Sequence, residues 1–197
     1  MSLITKVKAG SISSLTDARY FAGMGVDWIG FNVNPKSEMF VSPELYKSIA
    51  GWVTGPKKII EIPADVDLDV EQLLTDYQPD GVQVHYRDLR WRNAGIPIFA
   101  SACVDELDLT GASNPFGRCE YLVLDLLGND PLHSINLLQT ISKSCPILLS
   151  VEPQQNVIRR IIDELPIAGV ALKGSNEIKT GLKEYDYSEL LEQLEEG

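Results

Sequence analysis

Short apolar, β-rich runs alternate with longer stretches of helical character along almost the whole chain. Ile4 to Ala9 reads as a strand, followed by a helix from Leu15 to Met24 with Ser13 or Ser14 as its N-cap and Gly25 as its stop. Trp28 to Val33 is the second strand, and Pro43 to Trp52 is a helix begun by Ser42 with proline at its first position. The strand pattern returns at Lys58 to Ile62, Gly81 to His85, Ile96 to Ala100, Tyr121 to Leu126, Pro146 to Val151 and Ile167 to Leu172. Between these lie helical stretches from Val70 to Tyr77, Pro131 to Ser142 and about Gln155 to Leu165, and Tyr187 to Leu194 closes the chain. Arg87 to Asn93 is a short charged segment, and Val104 to Phe116 has no regular pattern. Alternation of this kind predicts parallel strands joined by helical crossovers. Runs such as YLVLDL and PILLSV are apolar on both faces, as strands covered on both sides must be.

A closed eight-fold barrel and an open doubly wound sheet both satisfy that rhythm. The open sheet usually carries G-x-G-x-x-G after its first strand, and KAGSISSL does not supply it. The expected fold is therefore α/β: one small, compact (β/α)8 TIM barrel spanning residues 1–197, near the lower size limit for that architecture. No linker, fixed-period repeat or low-complexity segment marks a second domain.

The formal net charge of −11 argues against a nucleic-acid partner, which requires a basic surface. No apolar run approaches the roughly 20 residues of a membrane helix, and MSLITKVKAG lacks the apolar stretch of a signal peptide. No membrane partner is expected. Cys103, Cys119 and Cys145 lie far apart with no C-x-x-C pair, which reads as reduced thiols in a cytoplasmic protein. With His85 and His133 as the only histidines, no metal site is expected either.

In such a barrel, function belongs at the C-terminal ends of the strands. The polar residues there are Lys8 and Ser11, Asn32 and Asn34, Glu61, Gln83 and His85, Ser101, Asp125, Glu152, and Lys173 with Ser175. Each also has an ordinary reading as a capped or solvated group. Asp125 stands out because it interrupts an apolar strand, where a carboxylate must be paired or hydrogen-bonded. Two readings of it are open: a general acid with a raised pKa, or one half of a buried pair with Lys8. After strand eight, LKGSNEIKTG can place the N–H groups of Gly174, Ser175 and Asn176 at a helix start, with Lys173 adding charge, as an anion site. An ordinary helix cap is the competing reading.

Several segments, taken in order, resemble the phosphoribosylanthranilate isomerases. VKAGSISSLTDA (Val7 to Ala18) is similar to that family's V-K-I-C-G-I-T-N-L-E-D-A opening, and GFNVNPKSEMFVSPE (Gly30 to Glu44) to its G-F-x-F-x-P-K-S-P-R-Y-V-S-P-E. DGVQVH (Asp80 to His85) resembles D-x-V-Q-L-H, and the aspartate of YLVLD stands where the family has L-L-D. EPQQNV resembles P-E-N-V, and GVALKGSNEIKTGLKEYD resembles G-V-D-V-S-S-G-V-E-x-x-P-G-x-K-D. Lys8, Gln83, His85, Asp125, Glu177, Gly181 and Lys183 match the family pattern.

The resemblance implies a cofactor-free Amadori rearrangement of a phosphorylated aminoaldose in tryptophan biosynthesis. One group protonates the ring oxygen and another removes the proton at C2 of the ribose. It implies Asp125 as the acid. The family's basic cysteine falls on Gly10, or on Ala9 with a one-residue shift, and neither takes a proton. Its arginine falls on Met39, its paired glycines after strand seven fall on Ser150 and Val151, and its Gly-rich segment after strand six has no clear counterpart in LLGNDPLHSIN. Lys8 and His85 are the candidates for a substitute base. Gln83, Lys173, Gly174, Ser175 and Asn176 are the candidate ligand-binding residues.

Three readings stay open: the family isomerase with a substitute base, a diverged barrel acting on another small phosphorylated or anionic ligand, and a noncatalytic binding or regulatory barrel. A protein partner or homo-oligomer is compatible with the last.

Overall fold

The alternation closes into a barrel. In the computed structural model, eight parallel strands pair in chain order and the eighth returns to the first: β1 (Lys6–Gly10), β2 (Trp28–Asn32), β3 (Lys57–Ile62), β4 (Gly81–His85), β5 (Ile98–Cys103), β6 (Tyr121–Asp125), β7 (Ile147–Ser150) and β8 (Gly169–Lys173). The structure describes all residues except 1, 65, 67, 108, 110–115, 117, 153–156, 175, 176, 180, 181, 184, 185 and 197. The helices are α1 (Leu15–Gly23), α2 (Pro43–Trp52), α3 (Val70–Tyr77), α4 (Ile135–Ser142), α5 (Ile158–Glu164) and α6 (Ser188–Gln193). Single 3-10 turns at Leu89–Asn93 and Val104–Glu106 follow β4 and β5.

Local chemistry starts the helices where the sequence suggested. Ser14 Oγ accepts the N–H of Asp17 (3.1 Å) to cap α1, and Ser42 Oγ accepts that of Leu45 (3.3 Å) ahead of Pro43. Gly25 takes the left-handed φ of 77° that ends the first helix. The charged segment after β4 forms one of the 3-10 turns, and of the stretch from Val104 onward a second such turn is described over Val104–Glu106. Strand five begins at Ile98 rather than Ile96 and runs on to Cys103, because its partner strand continues to Asp125.

Side chains alternate along each strand. One set, including Val7, Ala9, Ile29, Phe31, Ile60, Val82 and Leu149, packs outward under the helices. The other set faces inward, where Trp28, Ile59, Phe99, Leu148 and Ala171 form a separate cluster with Tyr121 and Val123. Trp28 meets Phe99 and Tyr121 edge-on at 5.3 and 5.0 Å, and Phe99 stacks on Tyr121 at 5.4 Å. This aromatic plug fills the barrel, as interiors of this size require. At the N-terminal end, Ile4 N–H donates to Leu194 (2.8 Å) and Glu196 N–H to Ser2 (3.0 Å), tying the two ends together.

One expectation about the cysteines fails. Cys119, before β6, and Cys145, before β7, are joined as a disulfide with Cα atoms 6.8 Å apart, leaving Cys103 as the free thiol. Adjacent strands bring together residues whose 26-residue separation carried no pairing signal.

No helix among the described residues is long and apolar enough to cross a membrane.

Candidate active site at the barrel mouth

Above the aromatic plug the inward positions turn polar. The register sets Gly10 beside Lys173, Asn32 beside Glu61, Glu61 beside Gln83, His85 beside Ser101 and Cys103 beside Asp125. A cavity of about 200 Å³ opens at this C-terminal end. Lys8, Glu61, Gln83, Asp125, Glu152 and Lys173 supply its polar wall, and Gly10, Ser11 and Ser150 complete the rim.

Its deepest polar feature is an ion pair. Lys8, 2% exposed, donates its ammonium to Glu61 Oε1, and the Ser11 N–H donates to Oε2 at 2.8 Å. The Ser11 hydroxyl stands 3.4 Å from the same oxygen. Glu61 reaches Lys8 by leaning back across β2, over Gly30, to β1. A Cβ at Gly10 would stand 2.6 Å from Glu61 Oε1, and one at Gly30 would come closer still. Both positions must therefore lack a side chain for the carboxylate to lie where it does.

Asp125 is not the partner of Lys8, so the buried-pair reading of that aspartate is corrected. Its side chain is exposed at the end of β6. There its Oδ1 accepts the N–H of Leu127 at 2.7 Å, and no ion pair of this carboxylate is found among the described residues. Ser11 and Leu127 are non-glycine residues with left-handed φ, 54° and 53° respectively. Each turns its N–H onto a carboxylate of the mouth. Two backbone conformations of this uncommon kind, at the two loops that hold the carboxylates, mark a region shaped for more than chain reversal.

The remaining candidates divide. Gln83 lines the cavity, and its Oε1 is buried without a hydrogen-bond partner among the described residues. Lys173 lines it from β8 with its side chain exposed. The N–H of Gly174 donates to the carbonyl of Gly10 at 2.6 Å, so it is not free to bind an anion. The first described elements beyond Gly174 are the strands of a short antiparallel hairpin, β9 (Glu177–Lys179) and β10 (Leu182–Lys183), instead of the expected helix start. Ser175 and Asn176 lie outside the described residues. His85 stands apart from the cavity: its Nε2 is 2.6 Å from Glu106 Oε2, and its Nδ1 accepts the Arg87 N–H at 3.4 Å. That hydrogen bond holds the Glu106 carboxyl below its ordinary range, with a smaller contribution from Cys103.

Some roles went unread in the sequence. Glu61 appeared only as one polar residue at a strand end, and Gly30 only as the start of the GFNVNPKSEMFVSPE segment. Cys103, which lay between the expected strand five and the irregular stretch, ends β5 on the inward face. Burial pushes its thiol up to about 11, reinforced by a hydrogen bond to Glu106 and by the charges of Glu106, Asp125 and Asp105. Among the described residues, Cys103, Asp105 and Glu106 bring possible metal-ligand atoms within 4.8 Å of one another, with Glu106 already engaged by His85.

No family model and no curated protein matches the chain. Solved structures do match. The phosphoribosylanthranilate isomerase of Thermotoga maritima superposes with a TM-score of 0.73 at 19% identity, covering 96% of this chain and 97% of that one. A phosphoribosylanthranilate isomerase in complex with reduced 1-(o-carboxyphenylamino)-1-deoxyribulose 5-phosphate gives 0.72 at 20% identity, covering 95% of each chain. Orotidine 5'-monophosphate decarboxylase of Methanocaldococcus jannaschii, complexed with the inhibitor BMP, gives 0.60 at 13% identity, covering 99% of this chain and 100% of that one. At these identities the likeness establishes the fold, a single (β/α)8 barrel similar to that of the phosphoribosylanthranilate isomerases.

Proposed function

We propose that the barrel mouth binds a small phosphorylated sugar derivative and catalyses a cofactor-free proton-transfer isomerisation of the phosphoribosylanthranilate isomerase kind. One observation carries this reading: an exposed carboxylate, Asp125, and a buried ammonium–carboxylate pair, Lys8 with Glu61, line the same C-terminal cavity. An aldose-to-ketose rearrangement needs an acid at the ring oxygen and a base at the neighbouring carbon. In this reading Asp125 is the acid, and the Lys8–Glu61 pair is the basic end of the site. Gln83 offers an acceptor to a ligand hydroxyl, and Lys173 attracts the phosphate. His85, engaged by Glu106, steadies the rim.

The exposure of Asp125 and its hydrogen bond to Leu127 N–H favour a second reading as well. That environment ties the carboxylate to the backbone, as in a barrel that binds a ligand or serves a protein partner without turnover.

The deciding experiment incubates purified protein with phosphoribosylanthranilate and follows loss of the anthranilate fluorescence, with Asp125→Asn as control. Turnover that this substitution abolishes supports the isomerase. Absence of turnover, with thermal stabilisation by the substrate that Lys173→Ala weakens, supports a binding barrel. Absence of both effects refutes a small-molecule site at the mouth.

A further inference from the structure

We infer that Glu61 of β3 is the proton-accepting residue of the mouth, delivered to the β1 side of the cavity through space that Gly10 and Gly30 leave empty. The inference rests on the isomerisation reading above and names the base within it.

The geometry carries the argument in three steps. First, β1 projects nothing into the mouth at position 10, and β2 projects nothing at position 30 below it. The Glu61 carboxylate occupies the volume that side chains at both positions would need. A carboxylate borrowed from two strands away therefore stands over β1. Second, it is held rigidly. Lys8 binds one oxygen, and the Ser11 N–H, made available by the left-handed backbone of Ser11, binds the other. A carboxylate has about four lone-pair sites, so these donors leave acceptor capacity on a group whose residue is 8% exposed and lines the cavity. Third, the other candidates are placed differently. The Lys8 ammonium, as donor to Glu61, has no lone pair; His85 faces Glu106 and is not part of the cavity wall; Glu152 lines the cavity from an exposed loop and not from a strand end held over β1. Lys8 is a positioning residue.

The step balances without a co-reactant. Asp125 donates its proton to the ring oxygen, the bond from that oxygen to C1 breaks, and the nitrogen lone pair forms a C1=N bond. A Glu61 oxygen then takes the proton from C2. The C–H electron pair becomes C1=C2, and the C1=N pair returns to nitrogen. The resulting enol loses its O–H proton and gains one at C1 to give the ketone, while the proton on Glu61 passes through solvent to Asp125.

The test compares wild type, Glu61→Gln, Lys8→Met and Lys8→Met/Glu61→Gln by steady-state turnover of phosphoribosylanthranilate across pH, with melting curves for each. The expected result is a kcat loss of about 10²- to 10⁴-fold for Glu61→Gln. KM should change only a few-fold, and the acidic limb of the kcat profile should vanish. Lys8→Met should keep that limb with a smaller kcat loss, whereas the double variant, with both charges removed, should melt near wild type and stay inactive. If Glu61→Gln does not fold, the double variant against Lys8→Met makes the same comparison. Retention of more than a tenth of kcat by a variant lacking Glu61 overturns the inference and leaves the isomerase standing. Loss of the acidic limb in Lys8→Met overturns it in favour of Lys8. No turnover by wild type overturns the reaction and the base together.

Discussion

Breaking the Lys8–Glu61 pair from either side should destabilise the fold, and removing both charges should largely restore it. Lys8 is 2% exposed, and Glu61 is the partner its ammonium engages, so Glu61→Gln strands a cation inside the barrel. Removing one partner of a buried pair costs about 3–5 kcal/mol. For a chain of this length, at roughly 2–4 °C per kcal/mol, that is a fall in Tm of about 6–20 °C. Lys8→Met should cost less, about 1–3 kcal/mol, because Glu61 keeps the Ser11 N–H at 2.8 Å and the edge of the cavity. Additive effects would put the double variant roughly 4–8 kcal/mol below wild type, the sum of those two ranges. Buried pairs replaced as a unit are instead often near neutral, so the expected coupling energy is several kcal/mol. Urea unfolding of the four proteins at neutral pH, with unchanged m-values as the check on two-state behaviour, measures it. A double variant as unstable as the sum of the singles, or neutral singles, would refute the claim that these groups form one buried unit.

Asp125→Asn should unfold within about 0.5 kcal/mol of wild type, since the residue is exposed and an asparagine Oδ1 accepts the same Leu127 N–H; a loss of several kcal/mol in urea would restore the buried-pair reading. Gly10→Ala should cost about 1–3 kcal/mol by crowding the Glu61 carboxylate, and Gly169→Ala should cost more, because its methyl meets the backbone carbonyl of Lys6 rather than a side chain. Urea midpoints in the reverse order would contradict the packing argument. The Cys103 thiol, pushed up to about 11 mainly by burial, should resist alkylation at pH 8 to 9 and react as pH approaches 11. Because its folded pKa lies above the ordinary thiol value, its contribution to stability is complete below that value and is lost as pH rises towards 11. Rapid labelling at pH 8 in the folded protein would refute this microenvironment.

The architecture was legible because each of its rules is local. Apolar runs covered on both faces, serine caps before helical stretches and a glycine stop at position 25 are written within a few residues of the feature they specify. The errors fell where a partner decides. Strand five was started two residues early and stopped at Ala100, because Ser101 to Cys103 is not strongly apolar; pairing with β6 up to Asp125 extends it. The cysteine pair was misread for the same reason, since it is made by two neighbouring strand starts and not by spacing.

At the mouth, the sequence named Lys8, Gln83, Asp125 and Lys173, all of which line the cavity, but one of its two readings of Asp125 gave the lysine a partner that the structure does not. Asp125 drew attention as a charge breaking an apolar strand, and Glu61 breaks KKIIEI in the same way. Strand alternation alone puts Lys8, Gly30 and Glu61 inward, on β1, β2 and β3. A glycine between two strands bearing opposite charges is what lets the longer carboxylate side chain cross to its partner. Asp125, with one methylene fewer, stands on β6 and meets the cation through no such gap. The signal was therefore present as a relation among three strands, Lys8 with Gly30 and Glu61, legible once the strand order is known. Gly10 belongs to the same relation: it removes a side chain from β1 where a group from β3 already fills the space. A side chain put back at position 10 therefore crowds the Glu61 carboxylate, and a shorter residue at position 61 would relieve that crowding.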